Sequence, residues 1–72
     1  MTNKIAIIGS GTFACAIAYQ LSLNEKNEIL LFARDESQVH DINTNHTNTK
    51  YFNTFRFNNQ VKASINYQEL AA

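Results

Sequence analysis

Three small residues near the start of the chain have the types and the spacing of a site for a diphosphate group. They are Gly9, Gly11 and Ala14, in the stretch Gly9-Ser10-Gly11-Thr12-Phe13-Ala14. In such a pattern the first glycine allows a sharp turn after a strand, and the second lets the backbone approach a pyrophosphate closely. The third small residue, for which alanine is an accepted variant, lets the following helix pack tightly on the strand. We therefore predict a dinucleotide-binding turn at residues 9–14.

A strand before this turn and a helix after it are needed to position it. The apolar run Ile5-Ala6-Ile7-Ile8 predicts a strand over Lys4–Ile8, and its continuous apolar character is typical of a parallel strand that is buried on both faces. The helical spacing of the next apolar residues predicts a helix from Thr12 to about Leu23. The N–H groups and partial positive charge at its start would then face the phosphates. The alternative is a glycine turn that joins a strand to a helix and binds no ligand.

The rest of the chain predicts two more strands and a second helix. The predicted elements are a turn at Asn24–Asn27, a strand at Glu28–Ala33, a helix from Glu36 to about Asn43, a polar loop at Thr44–Lys50, a strand at Val61–Ile65 and the start of a third helix at Tyr67–Ala72. The fold class is therefore α/β, a Rossmann-type parallel sheet with one βαβαβ mononucleotide-binding half, truncated. A complete dinucleotide fold needs two such halves, so residues 1–72 are predicted to be the N-terminal part of a dinucleotide-binding domain.

Arg34 directly follows the second predicted strand, where the adenosine ribose of a coenzyme would lie. An NAD-selective site has an acidic residue at the end of this strand, a position that we assign to Ala33 within one residue. Because Arg34 could pair with a ribose 2′-phosphate or stack on adenine, the predicted cofactor is NAD or NADP, with NADP slightly favoured. The alternative for Arg34 is a solvated surface charge. For Asp35, a cap on the next helix is favoured over a contact with the ribose hydroxyls.

Charge and composition exclude several classes of function. Six basic and six acidic residues balance, which argues against binding to nucleic acid or to an anionic membrane. The longest apolar run is far shorter than a bilayer span and no secretory signal precedes the first strand, so neither membrane insertion nor secretion is expected. The single cysteine, Cys15, cannot form an internal disulfide and fits a reducing cytoplasm. We expect its side chain to be packed rather than to act as a thiolate at the helix start.

The sequence contains no pattern for catalysis or for metal binding. His40 and His46 lack Cys, Asp or Glu neighbours at metal-ligand spacing, and no nucleophile, base and acid form a set. We therefore predict no catalytic residue and no metal site. Burial against a neighbouring element is favoured over stacking on nucleic-acid bases for the aromatic residues Tyr51, Phe52, Phe55 and Phe57.

Over nearly its whole length, the chain resembles the start of NAD(P)-dependent glycerol-3-phosphate dehydrogenases. The segments that carry the resemblance are Lys4–Phe13 with Ala16-Ile17-Ala18, then Leu31-Phe32-Ala33-Arg34-Asp35, then Ile42-Asn43-Thr44 with His46, Asn48 and Lys50-Tyr51-Phe52, and finally Val61, Ala63-Ser64 and Glu69-Leu70. Many dehydrogenases share the glycine stretch, whereas the segment at residues 42–51 is much more particular. The chain departs from the family at Ala14, usually a glycine, and in lacking the prolines that usually follow the tyrosine.

The resemblance implies interconversion of dihydroxyacetone phosphate and sn-glycerol 3-phosphate in glycerophospholipid metabolism, by hydride transfer between the nicotinamide and the substrate. Matching positions imply that the backbone of residues 9–14 holds the pyrophosphate and that side chains contact the cofactor. The implied cofactor-binding residues are Gly9, Ser10, Gly11, Thr12, Phe13, Ala14 and Arg34, with Tyr51 as a weaker candidate. The family's catalytic lysines and helical substrate domain lie downstream of residue 72. The implied partners are the cofactor and the missing C-terminal part of the enzyme, and the resemblance allows a homodimer of the full-length protein.

Two other functions fit the glycine turn. One is a non-catalytic nucleotide-sensing module, which would bind a cofactor without further sequence. The other is a fragment of a different NADP-dependent reductase such as ketopantoate reductase, against which the segment from His46 to Tyr51 discriminates. For the dehydrogenase segment, we expect the chain alone to be inactive and marginally stable, because parallel strands need cover on both faces.

Overall fold

The computed structural model of the chain describes residues 2–50 and 56–66. Three strands alternate with two helices in the order β1 (Asn3–Ile8), α1 (Thr12–Ser22), β2 (Asn27–Phe32), α2 (Glu36–Asn45) and β3 (Val61–Ser64). This order confirms the predicted βαβαβ arrangement, with element ends that differ from prediction by at most two residues. The third helix predicted at residues 67–72 lies outside the described residues.

The three strands form one parallel sheet in the order β1-β2-β3. Ile5 of β1 lies opposite Ile29 of β2, which in turn lies opposite Val61 of β3. Each pair of neighbouring strands is connected through a helix, as parallel pairing requires. The predicted parallel arrangement of the first two strands is therefore confirmed and extends to the third.

Both helices cover the same face of the sheet. Side chains at alternate strand positions point to the same face, and one such set packs with residues of both helices in a single core. Its buried members are Cys15, Ala18, Ile29, Leu31, Ile42, Phe57, Val61 and Ala63, and the partly buried Ile5 and Ile7 of β1 pack against them. Each large aliphatic side chain that is fully buried in this way stabilises the fold by about 1.5–3 kcal/mol.

The expected burial of β1 on both faces is wrong for this part of the chain. Ile5 and Ile7 are only half-buried, Ala6 is exposed, and 62% of the surface of Ile8 is accessible. The reason is that β1 lies at the edge of the described sheet, with β2 as its only neighbour there, and that the helices cover one face only. β2, which has a strand on each side, is much better buried.

The second helix is longer than predicted and ends in the polar segment that was expected to be a loop. It continues to Asn45, and His46 then terminates it in the left-handed conformation, with φ of 60°. Two side chains of its last turns form bonds that support it. Asn45 donates to Asp41 one turn earlier, and Asn43 bonds to β3. These contacts outweigh the weak helix preference of asparagine and threonine.

Asparagine side chains join elements that the sheet itself does not connect. Asn43 of α2 donates from Nδ2 to the carbonyl of Ala63 at 2.9 Å and accepts from the N–H of Ala63 at 2.8 Å. This pair of bonds satisfies a backbone donor and acceptor on β3. In the same way, Asn58 donates to the carbonyl of Ser22 at the end of α1, at 2.9 Å. The polar second half of the chain therefore holds the fold together through hydrogen bonds.

Four aromatic residues in the second half of the chain were predicted to be buried. Of these, the structure describes Phe57, whereas Tyr51, Phe52 and Phe55 lie outside the described residues. Phe57 is 3% exposed and belongs to the core, which confirms the burial predicted for it. Across residues 2–50 and 56–66, neither helix has the length and apolar character needed to cross a bilayer.

Candidate functional site

The turn between β1 and α1 begins at Gly9, where the backbone requires a glycine. Its φ is +123°, a conformation that side chains with a Cβ rarely adopt. A Cβ at this position would lie 3.8 Å from Cβ of Ala14, which is an ordinary contact. The conformation, rather than a lack of space, therefore explains Gly9. The N–H of Gly9 donates to the carbonyl of Phe32 at the end of β2, at 2.9 Å.

Gly11, at the start of α1, is required neither by its conformation nor by its neighbours. It is the N-cap residue of the helix with φ of −73°, and a Cβ built on it would meet no atom within 4 Å. The helix has no side-chain cap and no acidic residue in its first turn. Open space beside a helix start without a side-chain cap is the arrangement that lets a phosphate approach the backbone.

A cavity of about 500 Å³ lies beside this turn at the carboxyl ends of β1 and β2. Cavities of about 300–1,000 Å³ are typical of small-molecule sites. The residues that line it are Ile8, Gly9, Ser10, Gly11, Phe32, Arg34, Asp35, Gln38 and Lys50. The structure thus brings together four of the predicted site residues, Gly9, Ser10, Gly11 and Arg34. It adds two polar residues that the sequence did not identify, Gln38 and Lys50.

The other predicted site residues do not line this cavity. Thr12, Phe13 and Ala14 form the first turn of α1, and the structure does not bring them to the cavity wall. Phe13 is 78% exposed, and the small side chain of Ala14 faces the position of Gly9. Tyr51 lies outside the described residues.

Two elements that follow β2 in the sequence hold the glycine turn at Ser10. Its hydroxyl donates to Oε1 of Gln38 on α2. Its carbonyl accepts a hydrogen bond of 2.8 Å from Nδ2 of Asn48, whose side chain is 1% exposed. The two partners of this bond are 38 positions apart in the sequence. The turn is therefore fixed on both sides before any ligand binds.

Cys15 is packed beneath the turn, as expected. Its side chain is fully buried, and Sγ lies 3.4 Å from the carbonyl of Ser10 and 3.2 Å from Nδ2 of Asn48. Burial raises the pKa of the thiol, and the hydrogen bond from Asn48 lowers it by less. The raised pKa disfavours a thiolate at neutral pH. Cys15 thus acts as a small core residue that supports Ser10.

Asp35 caps α2, which confirms the favoured of its two predicted roles. Its Oδ1 accepts from the N–H of Ser37 at 2.9 Å and from the Ser37 hydroxyl at 2.8 Å. These two bonds lower the pKa of the carboxyl, and the charge of Lys50 lowers it slightly further. Arg34, one residue earlier, is exposed and lines the cavity. The end of β2 therefore presents a guanidinium to the cavity beside a carboxylate that is engaged in the helix cap.

The segment after α2 carries Lys50 to the cavity, and Asp41 organises it. The Asp41 carboxylate accepts from the hydroxyl of Thr47 at 2.7 Å and from the N–H and hydroxyl of Thr49 at 2.9 and 3.0 Å. Between these residues, the buried Asn48 reaches the glycine turn. The backbone that precedes Lys50 is thus tied both to α2 and to the turn.

Residues 4–72 match the family described as NAD-dependent glycerol-3-phosphate dehydrogenase N-terminus. The chain belongs to this family. The match includes the glycine turn, Arg34 and the segment that leads to Lys50, so every residue lining the cavity lies within the part shared with the family.

Among curated proteins, the chain is similar to glycerol-3-phosphate dehydrogenases that are named for use of NAD(P)+. It is 39% identical over 69 residues to that of Ligilactobacillus salivarius, covering 96% of this chain and 20% of the relative. It is 35% identical over 72 residues to that of Halothermothrix orenii, covering 100% of this chain and 21% of the relative. The chain therefore spans about a fifth of the length of these members of the glycerol-3-phosphate dehydrogenase family.

Two solved glycerol-3-phosphate dehydrogenases share the fold. The crystal structure of the Coxiella burnetii protein has a TM-score of 0.84 at 22% identity, and the solved structure of the Plasmodium falciparum protein has a TM-score of 0.79 at 32% identity. Each comparison covers 94% of this chain and 21% of the other. The predicted Rossmann-type fold class and the resemblance to the family are thereby confirmed.

Proposed function

We propose that this chain is the coenzyme-binding N-terminal segment of a glycerol-3-phosphate dehydrogenase that uses NAD or NADP. Family membership supports this function, and Gly11 carries it within the structure. Glycine at this position has no explanation in backbone conformation or packing, whereas close approach of a pyrophosphate to the backbone would explain it. The cavity beside Gly11 lies at the carboxyl ends of parallel strands, which is where nucleotides bind in open α/β sheets.

In this proposal the backbone of Gly9, Ser10 and Gly11, with the start of α1, holds the pyrophosphate. Arg34 lies near the adenosine ribose, where its guanidinium favours the 2′-phosphate of NADP. Thr12, Phe13 and Ala14 would contact the coenzyme from the first turn of α1, and Tyr51 is a weaker contact. A ring that is 78% exposed, such as that of Phe13, has apolar surface available for a coenzyme.

The proposed reaction interconverts dihydroxyacetone phosphate and sn-glycerol 3-phosphate. The coenzyme, when bound, supplies or accepts the hydride at its nicotinamide. The residues of this chain bind and orient it, and none of them is proposed to be catalytic. The rest of the enzyme, about four-fifths of the length of the relatives, would supply the substrate site and the proton donor. The open edge of β1 and the exposed Ile8 support an additional partner segment at this edge.

A cytoplasmic location is part of the proposal, because the lone buried Cys15 suits a reducing compartment. A homodimer of the full-length enzyme is compatible with it. The family match favours this function over a fragment of ketopantoate reductase. A separate nucleotide-sensing module would bind the coenzyme without the remaining four-fifths of the enzyme. Comparing the 72-residue chain with a chimeric enzyme therefore also tests this alternative.

A chimera tests the proposed function directly. Residues 1–72 replace the matching segment of the Ligilactobacillus salivarius enzyme, and reduction of dihydroxyacetone phosphate is followed with NADH and NADPH. We expect turnover by the chimera and none by the 72-residue chain alone. A folded chimera that binds neither coenzyme refutes the function. Turnover by the chain alone refutes the absence of catalytic residues, and tight coenzyme binding by the chain alone favours the sensing module.

Two glycine substitutions in the chimera separate binding from folding. Gly11→Ala should lower the unfolding midpoint only slightly, because the added Cβ meets no atom within 4 Å and the cost is limited to the poorer fit of alanine at an N-cap. It should weaken coenzyme binding at least tenfold by blocking the pyrophosphate. Gly9→Ala should lower the free energy of unfolding by about 1–2 kcal/mol, because alanine disfavours the positive φ of this position. Unaltered coenzyme affinity in Gly11→Ala would contradict the proposed position of the pyrophosphate.

A further inference from the structure

Lys50 brings a second cation to the cavity from a distant part of the sequence. It lines the same cavity as Arg34, although the two residues are 16 positions apart in the sequence and α2 lies between them. Its position is set by the segment before it. Asp41 holds Thr49 through a backbone and a side-chain hydrogen bond, and the buried Asn48 is bonded to the glycine turn. The Lys50 backbone is therefore positioned at the cavity, and Lys50 itself is exposed and lines the cavity.

The charges at this end of the cavity explain why a second cation matters. Arg34 and Asp35 are adjacent and of opposite sign, so together they present no net charge to a ligand. Asp35 keeps its negative charge at neutral pH, since the bonds from Ser37 and the charge of Lys50 hold its pKa below the usual value. A phosphate monoester carries about −1.5 to −2 charges near pH 7. Lys50 makes the local balance positive.

We propose that Lys50, together with Arg34, binds the 2′-phosphate of NADP and is a specificity-determining residue for the choice between NADP and NAD. This inference rests on the proposed function, because it assigns the adenosine end of the coenzyme to the part of the cavity that Arg34 and Lys50 share. NAD has a hydroxyl in place of this phosphate, so the charge of Lys50 stabilises bound NADP much more than bound NAD. In this proposal, the segment at residues 47–50 belongs to the coenzyme site and contributes to the choice between NADP and NAD.

The test is a pair of binding titrations on the chimera in which residues 1–72 replace the matching segment of the Ligilactobacillus salivarius enzyme. The dissociation constants of NADPH and NADH are measured from the fluorescence of the reduced nicotinamide, for the unaltered protein and for Lys50→Gln. We expect NADPH to bind about tenfold more weakly to Lys50→Gln and NADH to change by less than about twofold. A tenfold loss is about 1.4 kcal/mol, the size of one hydrogen bond to a charged group.

Two further variants control for fold and for general charge. Lys50→Arg keeps the cation and should retain NADPH affinity within about threefold. Lys62→Gln removes an exposed lysine of β3 that lines a different cavity and should leave both affinities unchanged. The NADPH affinity of the unaltered protein should also fall more steeply with salt concentration than that of Lys50→Gln. The reason is that salt weakens the ion pair between Lys50 and the phosphate, which the variant lacks.

The outcomes distinguish this inference from the proposed function. Equal weakening of NADPH and NADH in Lys50→Gln would mean that Lys50 only supports the fold, and unchanged affinity for both would mean that it does not touch the phosphate. Either result overturns the role of Lys50 and leaves the coenzyme site standing. Failure of the unaltered protein to bind either coenzyme refutes the proposed function, and the role of Lys50 with it.

Discussion

The contribution of Asp41 to the stability of the fold can be predicted from its contacts. Its carboxylate accepts hydrogen bonds from Nδ2 of Asn45 at 3.0 Å, from the Thr47 hydroxyl at 2.7 Å, and from the N–H and hydroxyl of Thr49 at 2.9 and 3.0 Å. The substitution Asp41→Asn keeps the shape of the side chain but removes its charge and places an N–H₂ group where one acceptor stood. We expect the variant to loosen residues 46–50 and to lower the stability of the fold.

The size of the expected loss in the free energy of unfolding follows from the pKa of this carboxyl. Partial burial raises the pKa of Asp41, but the hydrogen bonds from Thr49, Asn45 and Thr47 outweigh burial and lower it from 3.8 to about 2. At 1.36 kcal/mol per pH unit, the full difference would be roughly 2.4 kcal/mol of stability. Because Asp41 is only partly buried, screening by solvent reduces this to about 1 kcal/mol. We therefore expect Asp41→Asn to lower the free energy of unfolding by about 1 kcal/mol at pH 7.

The sign of the pH dependence follows from the same shift. The folded-state pKa lies below the unfolded value, so the contribution is fully present well above pH 3.8 and is lost as the pH falls toward about 2. About half of it should remain at pH 3. The stability gap between the unaltered chain and Asp41→Asn should therefore narrow by about half between pH 7 and pH 3.

Two measurements check this prediction. The carbon-13 chemical shift of the Asp41 carboxyl, followed by NMR during an acid titration of the chimera that carries residues 1–72, gives its pKa directly. Urea unfolding at pH 7 and pH 3 gives the stability gap, with Glu28→Gln, at an exposed position of β2, as the matched control. A carboxyl that titrates near 3.8, or a gap at pH 7 no larger than that of the control, would refute the reasoning.

Two further predictions concern the coenzyme site and are tested in the chimera that carries residues 1–72. Asn48→Ala should weaken coenzyme binding about tenfold in calorimetry, because the carbonyl of Ser10 loses its 2.8 Å donor. The control variant Asn43→Ala, which removes the two bonds to β3, should lower the unfolding midpoint without weakening coenzyme binding. Equal effects of the two variants on coenzyme affinity would argue against a role of Asn48 in the turn. Arg34→Asp should move the preference from NADPH toward NADH by at least tenfold, measured as the ratio of the two dissociation constants, and an unchanged ratio would exclude Arg34 from phosphate binding.

Local patterns were sufficient to predict the order of the elements. Strands and helices of a βαβ unit are specified by apolar periodicity and by glycine at a sharp turn, and both signals lie within a few neighbouring residues. Gly9 illustrates this, because its positive φ follows from the need to turn between β1 and α1. Helix ends were less predictable. The last turn of α2 depends on bonds from Asn43 to Ala63 of β3, which is 20 positions further along the chain.

The burial of β1 could not be predicted from its residue types. An apolar strand is buried only if something covers it, and the cover comes from elements far away in the sequence. In the described residues, Ile8 has the apolar character of a buried strand residue and is 62% exposed. The mismatch between its residue type and its burial agrees with the proposal that more of the enzyme packs here.

The candidate site likewise contains residues that local patterns predicted and residues that only tertiary contacts bring there. Gly9, Ser10, Gly11 and Arg34 were predictable because their positions relative to the ends of β1 and β2 follow from the motif itself. Lys50, like Gln38 and Asn48, reaches the site through tertiary contacts. One signal for Gln38 was present, since a glutamine three residues after the helix cap Asp35 lies on the inner side of the first turn. For Asn48 and Lys50, the run of asparagine and threonine gave no local indication, and their signal was their place in the segment at residues 42–51 that resembles the family.

The start of α2 determines how the two charged residues after β2 are used. A helix needs an acceptor for its first N–H groups, and Asp35 supplies it through two hydrogen bonds to Ser37. Both bonds end on Oδ1 and fix the orientation of the carboxylate, so turning it toward the ribose hydroxyls would break the cap, which costs about 0.5–2 kcal/mol. If α2 began one residue later, Asp35 could serve the ribose as an NAD-selective acid does. In the proposed site, therefore, the position of the helix cap favours Arg34 and Lys50, and with them NADP, as the groups that distinguish the coenzymes.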